Sequence, residues 1–291
     1  MQIGMNLPVM VPGLTRELIL EWSRRIDAGP FSSLAAGERI TFPNPEIIVT
    51  LATAAAVTER VRIVPTVVVL PMHPAGLVAK QIATLDVVSG GRVTLGVGVG
   101  ARAEDYRALE VPFEQPKLRR LEAQVAELRR AWSGEPLSTG DQPIEPLPVQ
   151  PGGPPILAGA LAAHSIRRAA RWADGICGFS FGPSCDEIQQ AFETAREAWR
   201  DAGRAEPPRL VTSCWFALGT DARAQLDGYI GRYLNFLGPG VAAQIAPTCS
   251  VVSGARLRQT VADIASLGCD ELILVPTTLD PNELDRAVEH F

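Results

Sequence analysis

The chain has 291 residues, with 27 Lys and Arg against 32 Asp and Glu, a formal net charge of −5. Without a cationic block it lacks the clustered charge that neutralises nucleic-acid phosphates, so no nucleic-acid partner is expected. Its 46% hydrophobic content suits a globular chain with one large core, and the apolar stretch Ile63–Pro71 falls well short of the ~20 residues that span a bilayer, so no membrane partner is expected either.

In chain order, β-rich runs occupy Gln2–Leu7, Ser32–Ala36, Val61–Leu70, Arg92–Val99, Pro155–Gly159, Gly175–Phe181, Arg209–Leu218 and Glu271–Val275. Segments long enough for helices follow each. Asn44-Pro45-Glu46 reads as a helix start with Asn44 as N-cap and Pro45 in the first turn. His73-Pro74 opens another helix, in which Leu77, Val78, Ile82 and Leu85 recur at helical spacing and are expected to face a core. Lys117–Trp132 carries Leu118, Leu121, Val125 and Leu128 on one face, ends on Arg129 and Arg130, and has Gly134 beyond. Val67–Val69 and Leu272–Leu274 are apolar on both faces, as parallel strands under helices are. Eight strand–helix repeats predict an α/β fold: a single (β/α)8 TIM-like barrel over residues 1–291, with excursions at the C-terminal face of the strands. The proline-rich stretch 135–154 and the stretch Gly228–Gly254 are those excursions. The second, with Tyr229, Tyr233 and Phe236, is expected to form a lid or substrate wall.

Several motifs are misleading. Five scattered cysteines without C-x-x-C spacing argue against a disulfide framework or zinc site, and the three histidines lack metal-ligand spacing, so no metal is expected. Gly178-Phe-Ser180-Phe-Gly182 matches a nucleophile elbow, yet Pro183 follows at once and the only later histidine is His290. Gly98-Val-Gly100-Ala101-Arg102-Ala103 matches G-x-G-x-x-A, but it follows the fourth strand rather than the first. Its glycines suit close backbone approach at a barrel mouth, leaving room for a ligand, or a tight exit turn without one.

The segment HPAGLVAKQIATLDVVSGGRVTLGVGVG from His73 to Gly100, together with PILAGALAAHSIRRAARWADG from Pro155 to Gly175, resembles the bacterial luciferase-like monooxygenase superfamily. Within it the chain looks most like the flavin- and coenzyme F420-dependent oxidoreductases. The resemblance implies a ring-shaped cofactor at the C-terminal ends of the strands, F420 or alternatively FMN, acting on a small organic substrate. It implies a non-prolyl cis peptide behind the ring at Thr66-Val67. It implies phosphate contacts from the backbone at Gly159-Ala160 and Gly178-Phe179-Ser180, with Gly98, Gly100 and Ala101 beside the cofactor. The histidine that deazaflavin dehydrogenases carry after the second strand is Arg39 here, and their glutamate after the glycine-rich strand is Ala101, with Glu104 and Asp105 a turn further on. The family's acid–base pair therefore does not transfer, and Glu38, Arg39 and Glu104 stand as catalytic candidates by position, with Arg39 free to neutralise an anionic ring or substrate or to form a rim ion pair with Glu38 or Glu104. Three readings follow: F420-dependent hydride transfer, FMN-dependent monooxygenation with O2, and a cofactor-free binding or assembly protein. A cytoplasmic homodimer is expected.

Overall fold

The computed structural model describes residues 1–291, the side chain of Pro239 excepted. The valine-rich runs form parallel strands β1 (Gln2–Asn6), β2 (Ser33–Ala36), β3 (Arg62–Pro65), β4 (Val68–Val69), β5 (Leu95–Gly98), β6 (Ile156–Ala158), β7 (Gly175–Cys177), β8 (Arg209–Phe216) and β9 (Glu271–Pro276). Between them lie α1 (Arg16–Ala28), α2 (Ile47–Ala55), α3 (Ala75–Ser89), α4 (Ala103–Ala108), α5 (Lys117–Trp132) and α6 (Ala163–Ala169). The remaining helices are α7 (Cys185–Asp201), α8 (Ala222–Tyr233), α9 (Pro239–Ile245), α10 (Gly254–Ser266) and α11 (Asn282–Val288).

The sheet order is β3-β2-β1-β9-β8-β7-β6-β5-β4. Its two ends, β3 and β4, are halves of one expected strand, so the nine segments make an eight-position barrel with its seam inside the third position. The break falls at Thr66-Val67, which is cis. Before it the chain pairs with β2, ending on Thr66 N–H to the Ala36 carbonyl at 2.7 Å. After it the chain pairs with β5, Val68 opposite Val97 and Val69 opposite Gly98. An isolated Ile63–Val93 bridge joins β3 to the chain just before β5 and almost closes the ring.

Two apolar layers result, as in other α/β barrels. Ala35, Val64, Leu157, Cys177, Val211 and Ile273 fill the interior, with Val67 packed against them. The larger layer lies between strands and helices and holds Trp22, Ile26, Leu51, Ile82, Leu128, Phe192 and Trp199.

Helix starts follow from local hydrogen bonding. Thr15, Ser184 and Ser253 cap α1, α7 and α10 by accepting from the third residue onward. The α2 cap is Glu46, not Asn44: its carboxylate accepts from Val49 N at 2.6 Å. The Asn44 amide is instead turned to the carbonyls of Arg39 and Pro45, bracing the loop after β2. In α3, Val78, Ile82 and Leu85 are buried as the periodicity predicts, but Leu77 is 50% exposed, because it sits one step round the helix from Val78. The proline-rich excursion is tied down by buried Asp86, whose carboxylate accepts from Val149 N, Gln150 N and the Gln150 amide. The stretch Gly228–Gly254 is largely helical, running through the end of α8, α9 and short 3-10 turns at 235–237 and 246–248. Among the described residues no helix is long and apolar enough to cross a membrane.

Candidate functional site

A cavity of about 540 Å³ opens at the C-terminal ends of the strands. That lies within the range of small-molecule sites, roughly 300–1,000 Å³. Of the residues singled out in the sequence, Glu38, Arg39, Thr66, Val67, Gly98, Gly100, Ala101, Gly159, Ala160, Gly178 and Phe179 line it, and Glu104 and Ser180 do not.

The glycines on its floor answer first to the barrel. A Cβ on Gly98 would lie 2.9 Å from a Val67 methyl, and one on Gly159 would lie 2.7 Å from the other. Gly100, at φ +62°, would bring a Cβ within 2.7 Å of Val69. Val67 and Val69 therefore occupy the room these glycines leave, and the exit of β5 is tight because the broken third position crowds it.

Most of the backbone donors expected to hold a phosphate are spent as well. Gly159 N–H donates to Val97, Ala160 to Ala158, Gly178 to Val211 and Ser180 to Ser213, at 2.7 to 3.0 Å. The Ser180 hydroxyl accepts from Ser184 N, forming the turn that starts α7 rather than a nucleophile. Among the described residues, Phe179 and the run Leu161–His164 keep N–H groups without a backbone partner. That run leads into α6, which begins at Ala163.

The charged candidates separate. The Glu38 side chain is buried; one carboxylate oxygen accepts from Val69 N at 2.6 Å, and the other lies 2.9 Å from His73 Nε2. It fixes the chain just past the break in the third position. Glu104 is correspondingly removed from the site: on α4 it points outward, half exposed, and pairs with Arg102 at 2.7 Å. Its neighbour Asp105 turns inward, accepting from Thr41 N at 2.8 Å, from Thr41 Oγ1 at 2.6 Å and from Arg102 at 3.1 Å. One residue is 100° of helix, so only one of the two can face the cavity. Burial raises the Asp105 carboxyl, but the Thr41 bonds and Arg102 outweigh it and hold the group below its ordinary 3.8.

Arg39 forms neither rim ion pair; it is 7% exposed with its guanidinium stacked 3.6 Å above the Tyr233 ring. Phe42 and Phe236 stand 4.9 and 5.2 Å from the same guanidinium carbon. Its Nη1 is buried without a hydrogen-bond partner, as is Trp172 Nε1 on another part of the wall. Burial, the largest influence, lowers the Arg39 pKa.

The aromatic wall continues from Tyr233 to Trp215 at 5.2 Å between ring centres, and from Trp215 to Phe179 at 4.8 Å and Phe181 at 5.3 Å. Of the residues expected to form a lid, Tyr233 and Phe236 line the cavity, while Tyr229 is buried behind Tyr233, stacked on it. Trp215, Phe181, Trp172 and the Arg102–Asp105 pair were not singled out by sequence reasoning. For Trp215 a signal exists: Val211, Ser213 and Trp215 alternate inward on β8, and the last of them reaches the mouth. Trp172 lies in an irregular turn and carries no such pattern.

What the wall can do is now defined. Glu38 and Asp105 are engaged in structural bonds, Tyr106 donates to the Val99 carbonyl at 2.6 Å, and burial pushes its phenol up to about 12. Burial likewise pushes the Cys177 thiol up to about 12, so it is no nucleophile at neutral pH. Such a wall binds, orients and excludes water.

Comparison with known proteins gives three findings. A family model described as luciferase-like monooxygenase matches residues 1–259. An uncharacterised protein of Mycobacterium tuberculosis is 34% identical over 175 residues, 57% of this chain and 58% of that one. The 4-hydroxyprotoasukamycin monooxygenase of Streptomyces nodosus subsp. asukaensis is 29% identical over 250 residues, 77% of this chain and 66% of that one. The match thus spans less than two thirds of the length of these curated relatives. Among solved structures, an F420-dependent secondary alcohol dehydrogenase in complex with an F420-acetone adduct superposes with a TM-score of 0.82. That likeness covers 100% of this chain and 98% of the other at 17% identity, and it is a likeness of fold.

Proposed function

The chain belongs to the luciferase-like monooxygenase family, and within it we propose an oxidoreductase that binds coenzyme F420 and transfers a hydride to or from a small organic substrate. The observation that carries this reading is the state of the cavity wall: its carboxylates are tied into structural hydrogen bonds, so the reactivity must arrive with a bound cofactor. The residues present fit such a group. The floor of Thr66, Val67 and Gly98 and the wall of Phe179, Phe181 and Trp215 offer an apolar slot. Leu161–His164, with unspent N–H groups, and the Ser165 hydroxyl on the cavity wall would hold a phosphate-bearing tail. When bound, the deazaflavin would supply or accept the hydride; the chain orients the ring, shields it from water and holds the substrate against it.

The second reading, FMN-dependent monooxygenation, draws support from the monooxygenase relative. Reduced flavin would itself bring the two electrons and two hydrogens that leave as water with one atom of O2, so the engaged carboxylates do not tell against this reading. Titrating the purified protein separately with F420 and FMN tests the choice. Saturable F420 binding, weakened at least tenfold by Ser165→Asp with an unchanged melting temperature, is expected. Saturable binding of FMN alone overturns the reading, and binding of neither puts the cofactor-free binding protein first.

A further inference from the structure

Arg39 differs from every other charged group on the cavity wall. Arg102 is paired with Glu104 and Asp105, and Glu38 with His73 and Val69 N. Arg39 has no carboxylate within ion-pair distance among the described residues, although it is more than nine-tenths buried. Its aromatic neighbours do not fill that role. A ring stacked on a guanidinium takes up its face and leaves the N–H edge free, and that edge carries the orphaned Nη1. Tyr229, behind Tyr233, supplies no phenolate, since burial pushes its hydroxyl above the ordinary 10. A buried guanidinium N–H without an acceptor is costly, and a ligand that brings an anionic oxygen removes that cost.

The place of Arg39 in the barrel separates it from the tail-binding run. It follows β2, whereas Leu161–His164 follows β6, and in the sheet order β1, β9, β8 and β7 lie between those two strands. Round the other way of the nearly closed ring only the third position and β5 intervene. The two anion-attracting groups thus stand three of eight positions apart, with the aromatic wall of Tyr233, Trp215 and Phe181 along the longer arc. One serves the cofactor tail on the reading above; the other is left for a second ligand.

We propose that the substrate is an organic acid with a flat, apolar body, its carboxylate held edge-on by Arg39 and its body laid beside Tyr233 and Phe236. The proposal rests on the cofactor reading only in assigning the Leu161–His164 part of the mouth. Benzoate and benzamide, alike in shape and different in charge, are the probes, titrated calorimetrically into the purified full-length protein without cofactor. Benzoate binds at least tenfold more tightly than benzamide, the scale of one charge-assisted hydrogen bond. Arg39→Gln brings the two ligands level, and Arg39→Lys keeps part of the preference. Equal binding of the two by the unaltered protein, or no benzoate binding, overturns the proposal without needing any variant to fold. F420 and FMN titrated into the same proteins give a separate readout: Arg39→Gln leaves their affinities within twofold. A tenfold loss of cofactor affinity in that variant assigns the cation to the cofactor and overturns the proposal. Failure of both cofactors to bind the unaltered protein, with benzoate preference intact, sinks the cofactor reading alone.

Discussion

Val67 is the side chain around which the floor of the cavity is built, since its two methyls approach the Cα positions of Gly98 and Gly159 from one side. Adding a methyl at Gly98 places it 2.9 Å from Val67 Cγ2, with Gly159 O next at 3.6 Å, so the clash is with one side chain. Gly98→Ala should therefore cost about 1–3 kcal/mol, the usual penalty for overpacking. In a Val67→Ala background most of that penalty should vanish, and urea unfolding of the four proteins of this cycle measures it. Equal costs in both backgrounds would mean that Gly98 is needed for its backbone and not for the space. Cys177 makes a second residue-scale prediction. Cys177, Cys214 and Cys269 are buried with thiols pushed up to about 12 by burial, while Cys185 is partly exposed. A thiol reagent at pH 8 should label Cys185 first and reach the other four, including buried Cys249 with its thiol pushed up to about 11, only on unfolding, as peptide mapping would show.

At the scale of elements, α4 and the loop after β2 act as one piece. Asp105 on α4 accepts both Thr41 donors, and Arg102 reaches across to the Thr41 carbonyl and hydroxyl. Because the Asp105 carboxyl is held below its ordinary 3.8, the clasp contributes fully above that value and is lost as pH falls through the folded-state value. Stability should thus fall on acidification below about pH 4, and Asp105→Asn should remove this part of the acid dependence in melts run from pH 6 to 2.5. An unchanged acid profile in the variant would show that the clasp contributes nothing.

The same elements show what the sequence could and could not disclose. Lys117–Trp132 is legible end to end because its apolar period, basic last turn and trailing Gly134 all agree. The run Val61–Leu70 reads as one strand because valines say nothing about a change of pairing partner; only the competing ladders of β2 and β5 split it. Glu38 and Glu104 are equally plausible acids in one dimension. Their fates depend on which donors the fold brings near, Val69 N and His73 for one and Arg102 for the other. Arg39 was legible as a charge but not as an unpaired one, since its isolation is a property of three dimensions.

At the scale of the whole molecule, four of the exposed large apolar side chains lie on two neighbouring helices. Val49 on α2 is 67% exposed, and Leu77, Val87 and Val88 on α3 are 42 to 50% exposed. Leu77 and Val88 are eleven residues apart, about three helical turns, so they share a face, and α2 packs beside α3. Apolar side chains this exposed on neighbouring helices match the core of a protein interface more than an ordinary surface. A homodimer closed through α2 and α3 about a twofold axis, the commonest symmetry of soluble oligomers, would cover them. Light scattering after size-exclusion chromatography should give twice the 31.1 kDa chain mass. Leu77→Asp with Val88→Asp places carboxylates in that face and should return the mass to one chain, with circular dichroism and cofactor binding retained. A single-chain mass for the unaltered protein at micromolar concentration, or a dimer indifferent to both aspartates, would place these side chains outside any interface. The distinction bears on the site itself, because α3 begins just beyond His73, the partner of Glu38, and a covered α3 would steady the chain that holds the cavity floor.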